Sequence, residues 1–481
     1  MGQAEMFSSR RGFLCQVCNG IGALALADVL SEELEAAQSA INPMVVKPQH
    51  FPRKAKHCIF VFMGGGASQI DTFDYKPALQ KYAGGRLPRL PGLSGEIAGF
   101  LEAPHRTIPS PFEFKQHGQC GRQMSSLFPH LGECTDDMAF IYGIKVDNNN
   151  HGPATMHVTT GSQLQGSASV GSWITYGLGS LNQDLPGYVV IQDPRGSPVN
   201  GSVVWGNGYL PAAYQGTLFR SKGSPILDLE LPSGVDRKQQ RHEFDLLKRL
   251  NEKHLDERPG ASELEARISA YELAFRMQSE APHIVDLSKE STATKQMYGL
   301  DNPVTEGFGR QCLLARRLIE NGVRYSLLVH GVEIGRYSWD DHGNIKERVP
   351  QHAAEVDQPI AALLKDLKVR GLLDETLVVW ASEMGRTPFI NDLTGEKPGR
   401  DHNQYGLVMW LAGGDVKGGA TAGQTDEFGI RALEEPIPIR DVHATILDLM
   451  GLDDRRLTYL HAGRFRKLTD IGGNVIKEVI S

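Results

Sequence analysis

Five short segments of this chain carry the carboxylates, imidazoles and guanidinium groups that metal binding or hydrolytic chemistry would use. They are Ser68-Gln69-Ile70-Asp71-Thr72-Phe73-Asp74, Asn148-Asn149-Asn150-His151-Gly152, Trp339-Asp340-Asp341-His342-Gly343-Asn344, Ser382-Glu383-Met384-Gly385-Arg386-Thr387-Pro388 and Gly399-Arg400-Asp401-His402-Asn403. Each holds a carboxylate, an imidazole or both, the ligand types that suit zinc, manganese or similar divalent ions. Taken singly, each has a plain structural reading. An Asp before a His caps a turn, Glu383 is a helix-start acid with Arg386 as its ion-pair partner, and Asp401-His402 is a solvated loop. Their shared position is what argues for chemistry. Four of them follow an apolar run, and the fifth precedes one.

Those runs predict the elements that must hold the segments. Cys58–Met63 is continuously apolar and stops at Gly64-Gly65-Gly66, the form of a strand buried on both faces and ended by a turn. Residues 139–144, 188–192, 324–330, 376–381 and 406–412 have the same form. Between them, Gln351–Arg370 shows apolar residues at helical spacing. Phe308–Asn321 and Asp441–Met450 read as helices stopped by Gly322 and Gly451. Strands alternating with helices predict a mostly parallel sheet between helical layers. In such sheets ligands gather beyond the carboxyl ends of the strands. Residues 232–300 differ: they are charged and helical, with Ser262–Gln278 clearly amphipathic, and read as an inserted helical subdomain or cap. Strands 58–63, 324–330, 376–381 and 406–412 are expected to be neighbours.

Composition narrows the function. A formal charge of −7 with no long run of one sign gives no basic face for nucleic acid. Ser9-Arg10-Arg11-Gly12-Phe13-Leu14 ahead of an apolar run to Ala27 reads as a twin-arginine export signal over residues 1–30. That run is shorter than the roughly 20 residues a spanning helix needs, and no second span follows. The expectation is a periplasmic or cell-surface protein with no transmembrane segment in its mature part. Of six cysteines, Cys15 and Cys18 fall in the signal. Cys58 and Cys312 lie in apolar runs and read as buried thiols. Cys120 and Cys134 leave a disulfide open.

The signal, the Gly64–Asp74 and Trp339–Asn344 segments, Glu383-Met384-Gly385-Arg386-Thr387-Pro388 and Gly399-Arg400-Asp401-His402 together resemble the domain of unknown function 1501. This family of exported bacterial proteins is assigned to the alkaline phosphatase and sulfatase superfamily. The resemblance runs from about residue 56 to the C-terminus. It implies an α/β, alkaline-phosphatase-like three-layer sandwich over 56–481, a mostly parallel sheet between helices, with 232–300 as the helical insertion.

It also implies a site. Superfamily hydrolases bind divalent metal at the strand ends beside a Ser, Thr or modified Cys that opens a helix nine residues before the Thr of a Thr-Gly pair. Thr160-Gly161 resembles that pair, and nine residues before Thr160 stands His151, neither hydroxyl nor thiol. Glu383 falls where a metal-binding Asp stands, Asp340 or Asp341 with His342 resembles an Asp/His metal pair, and His402 resembles the last metal His. The usual Asp after the first strand is replaced by glycine, with Asp71 a few residues late. The implied function is metal-dependent hydrolysis of sulfate or phosphate esters on an anionic ester or glycan substrate. Asp71, Asp340, His342, Glu383, Asp401 and His402 would hold zinc, calcium or manganese. Arg386 would clamp the anion, and His151 would be acceptor, acid–base group or ligand. The competing reading is a binding protein on the same scaffold that has lost its nucleophile.

Overall fold

β1 (His57–Met63) is buried along its whole length, and it lies at the middle of the sheet. In the computed structural model the described residues are 42–88, 106–227, 229, 231, 234–257, 262–332, 335–390 and 397–481. The segment expected to be an export signal, residues 1–30, lies outside them. Residues 46–481 form one compact unit. The strands that follow are β2 (Phe114–His117), β3 (Arg122–Ser125), β4 (Met138–Lys145), β5 (Tyr188–Ile191), β6 (Thr217–Phe219), β7 (Tyr325–His330) and β8 (Thr376–Ser382). After them come β9 (Gly385–Ile390), β10 (Arg400–Asn403), β11 (Leu407–Ala412), β12 (Thr421–Ala422), β13 (Ile437–Pro438), β14 (Tyr459–His461) and β15 (Arg464–Arg466). Nine of these make one sheet in the order β12-β4-β11-β8-β1-β7-β5-β6, with β13 also paired to β4. The four strands expected to be neighbours, β7, β1, β8 and β11, stand side by side.

The sheet is mostly parallel, and β11 is the exception: it runs antiparallel to both β4 and β8. That reversal has a functional consequence. Leu407, the first residue of β11, pairs with Ile144 near the end of β4. The segment before β11 therefore reaches the same edge as the segments that follow β1, β4, β7 and β8. Antiparallel β9 and β10 join it there, with His402 opposite Arg386.

Helices cover both faces. In chain order they are α1 (Gln69–Thr72), α2 (His151–Thr160), α3 (Val170–Leu178), α4 (Arg237–Asp256), α5 (Ser262–Val285), α6 (Thr292–Met297), α7 (Glu306–Glu320), α8 (Ile345–Val369) and α9 (Ile439–Leu449). Ile59, Val61 and Met63 share a core cluster with the buried residues of α7 and α8. Each such side chain taken from water contributes about 1.5–3 kcal/mol. On the other face α3 lies so close to Tyr188 and Tyr325 that a Cβ on Gly171 would stand 2.6 Å from each. The described part of 232–300 is helical, and Met277, Ala281, Ile284 and Val285 of α5 belong to the main core. α8 begins at Ile345, before the expected Gln351, and carries Pro350 and Pro359 inside it, each without the N–H that would bond to the carbonyl four residues earlier. Cys58, Cys120, Cys134 and Cys312 are all free thiols, with Cys120 exposed and the others buried.

Candidate metal centre

The carboxyl edge of the sheet is drawn tight by backbone approaches that only glycine permits. Gly65, with φ +112°, sits where a Cβ would be 2.5 Å from the Trp339 nitrogen and 2.6 Å from that of Asp340. A Cβ on Gly399 would lie 1.9 Å from the His342 carbonyl carbon. The loops after β1 and β7 and the loop before β10 are thereby stacked on one another. Trp339 donates its backbone N–H to the Gly64 carbonyl at 2.9 Å, and Arg400 donates to the Asp341 carbonyl at 3.0 Å.

Four side chains converge there. One ligand atom from each of His151, Asp340, His342 and His402 lies within 4.8 Å of every other. Asp340 Oδ1 stands at the middle, 2.9 Å from His342 Nε2, 3.2 Å from His151 Nε2 and 3.3 Å from His402 Nε2. The two imidazole nitrogens of His342 and His402 are 2.9 Å apart. His151 opens α2, the helix it was expected to open, directly after the loop that leaves β4.

Behind each ring stands an acceptor. His151 Nδ1 meets Glu383 Oε1 at 2.8 Å. His402 Nδ1 meets the Asn149 carbonyl at 2.6 Å, and since a carbonyl only accepts, that nitrogen carries the proton and Nε2 the lone pair. His342 Nδ1 lies 3.9 Å from Asp401 Oδ1, which also accepts the His402 backbone N–H at 2.8 Å. The His151 and His402 rings, hydrogen-bonded from behind at Nδ1 and turned to a common point at Nε2, have the arrangement that metal-ligating histidines adopt. Three imidazole nitrogens and a carboxylate oxygen crowded together repel one another unless protons or a cation lie among them. The donor set therefore fits a divalent ion, and its nitrogen-rich character suits zinc or manganese better than calcium, which takes oxygen ligands.

The electrostatics agree. Burial works to lower the His151 pKa, but hydrogen bonds and charge from Asp340 and Glu383 outweigh it and raise the value to about 9. An ion at Nε2 must displace that proton, which couples metal uptake to pH. Burial alone would raise the carboxyl pKa of Asp340, yet His151, His342, His402 and Arg386 hold it far below the ordinary carboxylate range. Glu383 is also held low, its burial outweighed by the His151 contact and the Gly65 N–H. His402 is lowered, first by burial. His151 Nε2 is buried and faces Asp340 Oδ1 at 3.2 Å.

The remaining residues singled out from sequence stand around this group rather than in it. Asp71 is fully buried and both its oxygens are taken: Oδ2 by Arg400 Nε and Ser68 Oγ, each at 2.6 Å, and Oδ1 by Arg400 Nη2 at 3.0 Å. Glu383 accepts from His151, Gly65 and Ser382. Asp401 is half-exposed, beside His342 and His402. Arg386 is buried, and its guanidinium donates to Asp340 Oδ1 at 2.6 Å and to the carbonyls of Gly65, Gly66, Trp339 and Arg400. It is thus committed to the protein, not turned to an anion. Asp341 faces away, 2.9 Å from Arg348 Nε. Two participants had no assigned role in the sequence reading: the Asn149 carbonyl, which no side-chain pattern reports, and Arg400, whose pairing with Asp71 spans 329 positions.

Comparison with known proteins bears on the whole chain. Residues 55–480 match the family described as "Protein of unknown function (DUF1501)". The chain belongs to this family. No curated protein matches it. Similar solved structures include the alkaline phosphatase of the Antarctic bacterium TAB5, at 11% identity over 83% of this chain and 99% of that one, TM-score 0.33. A sulfatase from Pseudoalteromonas is similar at 13% identity over 84% and 69%, TM-score 0.31. A protein of the alkaline phosphatase superfamily from Vibrio parahaemolyticus is similar at 12% identity over 91% and 73%, TM-score 0.33.

Proposed function

We propose that this protein is an exported, metal-dependent hydrolase of sulfate or phosphate esters, acting on an anionic ester or glycan, with His151, Asp340, His342 and His402 as ligands of one divalent ion. The observation that carries this is the inward turn of three Nε2 atoms onto Asp340 Oδ1, with an acceptor near each Nδ1. A bound ion would supply Lewis acidity, polarising an ester oxygen and making water a better nucleophile at neutral pH. Glu383, Asn149 and Asp401 orient the rings. Arg386 fixes the Asp340 carboxylate and the Gly65–Gly66 turn together, and Asp71 fixes Arg400. His151 has Nδ1 committed to Glu383 and Nε2 in the cluster, so in this reading it is a ligand and water is the attacking group.

The alternative, a non-catalytic extracytoplasmic binding protein, is favoured by one observation: Arg386 is spent on Asp340 and backbone carbonyls and is not free for a tetrahedral anion. Turnover of aryl sulfate and aryl phosphate by protein loaded with zinc or manganese separates the two. Activity lost on chelation and in Asp340→Asn supports the hydrolase. Stoichiometric metal with no turnover of either ester class supports the binding protein. Export is tested by Arg10→Lys with Arg11→Lys, which should retain the protein in the cytoplasm.

A further inference from the structure

The hairpin β14–β15 wears its faces the wrong way round for a hairpin that only packs on its own protein. Directly opposed residues share a face, and the register pairs Tyr459 with Arg466, Leu460 with Phe465 and His461 with Arg464. The polar and amphipathic face is the one laid on the body. Tyr459 meets the Tyr176 ring edge-on at 5.8 Å, His461 stacks on Tyr209 at 5.6 Å, and the Arg466 guanidinium lies 5.8 Å from the same ring. Backbone carbonyls on either side are also held, Thr458 by Tyr176 and Lys467 by Tyr209. The apolar pair is left outside: Leu460 is 58% and Phe465 71% exposed. A tight turn at Ala462 (φ +50°) and Gly463 (φ +76°) keeps the two strands in register, so the pair is presented on a fixed surface.

Residues 455–467 hold Arg455, Arg456, Arg464, Arg466 and Lys467 and no carboxylate, in a chain whose formal charge is −7. Arg455, Arg456 and Arg464 are exposed. A second copy docking here would bring like charges together, which disfavours self-association. An exposed apolar pair on a segment rich in cations suits a surface with anionic groups outside and hydrocarbon beneath. We infer that this hairpin docks the protein on an anionic lipid surface, with Leu460 and Phe465 entering the headgroup boundary and the neighbouring Arg455, Arg456 and Lys467 meeting the headgroups. The inference is independent of the chemistry at the metal centre.

Co-sedimentation of the full chain with vesicles tests it. One vesicle is phosphatidylcholine, and the other replaces roughly a quarter of it with phosphatidylglycerol. Binding to the anionic vesicle alone, weakened by salt near roughly 0.5 M, is expected. Leu460→Ser with Phe465→Ser, and separately Arg455→Glu with Arg456→Glu, should each lower binding about tenfold or more, through lost apolar burial and lost attraction respectively. The melting temperature should stay within about 2 °C, since both changes are on exposed side chains. No binding by the unaltered chain would overturn the inference, as would equal binding by the Ser variant, or a Ser variant that fails to fold and so shows the pair to be packed. Retention on a sulfated polysaccharide but not on vesicles would replace it with a glycan contact. A dimer in ultracentrifugation, lost on Phe465→Ser, would replace it with self-association.

Discussion

Two clusters of imidazole and carboxylate flank the Trp339-Asp340 step at one sheet edge, and they are built to opposite rules. In the first, His330, Glu355, Arg195 and Asp193 leave nothing over. Trp339 Nε1 donates to His330 Nδ1 at 3.0 Å, so Nε2 carries the proton and donates to Glu355 at 2.7 Å. Arg195 forks onto Asp193 at 2.8 and 2.6 Å and onto Glu355 at 3.0 and 2.9 Å. In the second, His151, His342 and His402 face acceptors behind and present Nε2 to one another and to Asp340. The first has its polar groups paired with one another within the protein and holds the Gly331 backbone. The second is a donor set that could hold a cation from outside. Residue types alone do not separate them; the direction in which each ring is engaged does.

The contrast is broken most forcefully at the paired carboxylates. Asp71→Ala should cost about 3–5 kcal/mol in urea unfolding, because it strands the buried Arg400 guanidinium. Metal per folded chain should be unchanged, and loss of metal with little loss of stability would move Asp71 into the centre. Asp340→Asn should do the reverse, weakening metal affinity by at least about 100-fold on the scale set by lost ligands and their supports. Dialysis against metal buffers followed by elemental analysis reads this directly, and retained metal would remove Asp340 from the ligand set. Glu383→Gln keeps the shape behind His151 but weakens its orientation, and should lower affinity about 10- to 100-fold.

A smaller effect is expected at Glu355. Burial raises its pKa, but His330 and Arg195 outweigh burial and hold it at about 2, against an ordinary 4.5. A depressed carboxyl contributes stability that is complete above the unfolded pKa and lost as pH falls through the folded one. Glu355→Gln should therefore flatten the loss of stability between about pH 4.5 and 2, by on the order of 1–2 kcal/mol after allowance for its partial exposure. An unchanged acid limb would mean that the first cluster is not the charge network drawn here.

How much of this was legible before the fold was known depended on range. Buried strands announce themselves as continuous apolar runs, so β1, β7, β8 and β11 were all readable from local sequence. The direction of β11 was not, because direction is set by connections across the sheet. Its reversal is what carries Asp401 and His402 to the edge where Asp340 and His342 stand. Within the site, residue type identified the ionisable groups, while their roles depended on partners far away in sequence. Asp71 and Asp340 look alike as acids in loops. Only the meeting of Asp71 with Arg400 sets them apart. Arg386 is a similar case, since an arginine in a polar loop reads as an anion clamp until its carbonyl partners are seen.

The most direct test of the metal centre is anomalous diffraction from crystals of the protein, recorded on both sides of the zinc and manganese absorption edges. The account predicts one peak per chain, about 2.0–2.2 Å from Nε2 of His151, His342 and His402 and from an oxygen of Asp340. A peak held by other residues, or well-ordered rings at these positions with no anomalous signal between them after loading with either metal, would contradict it.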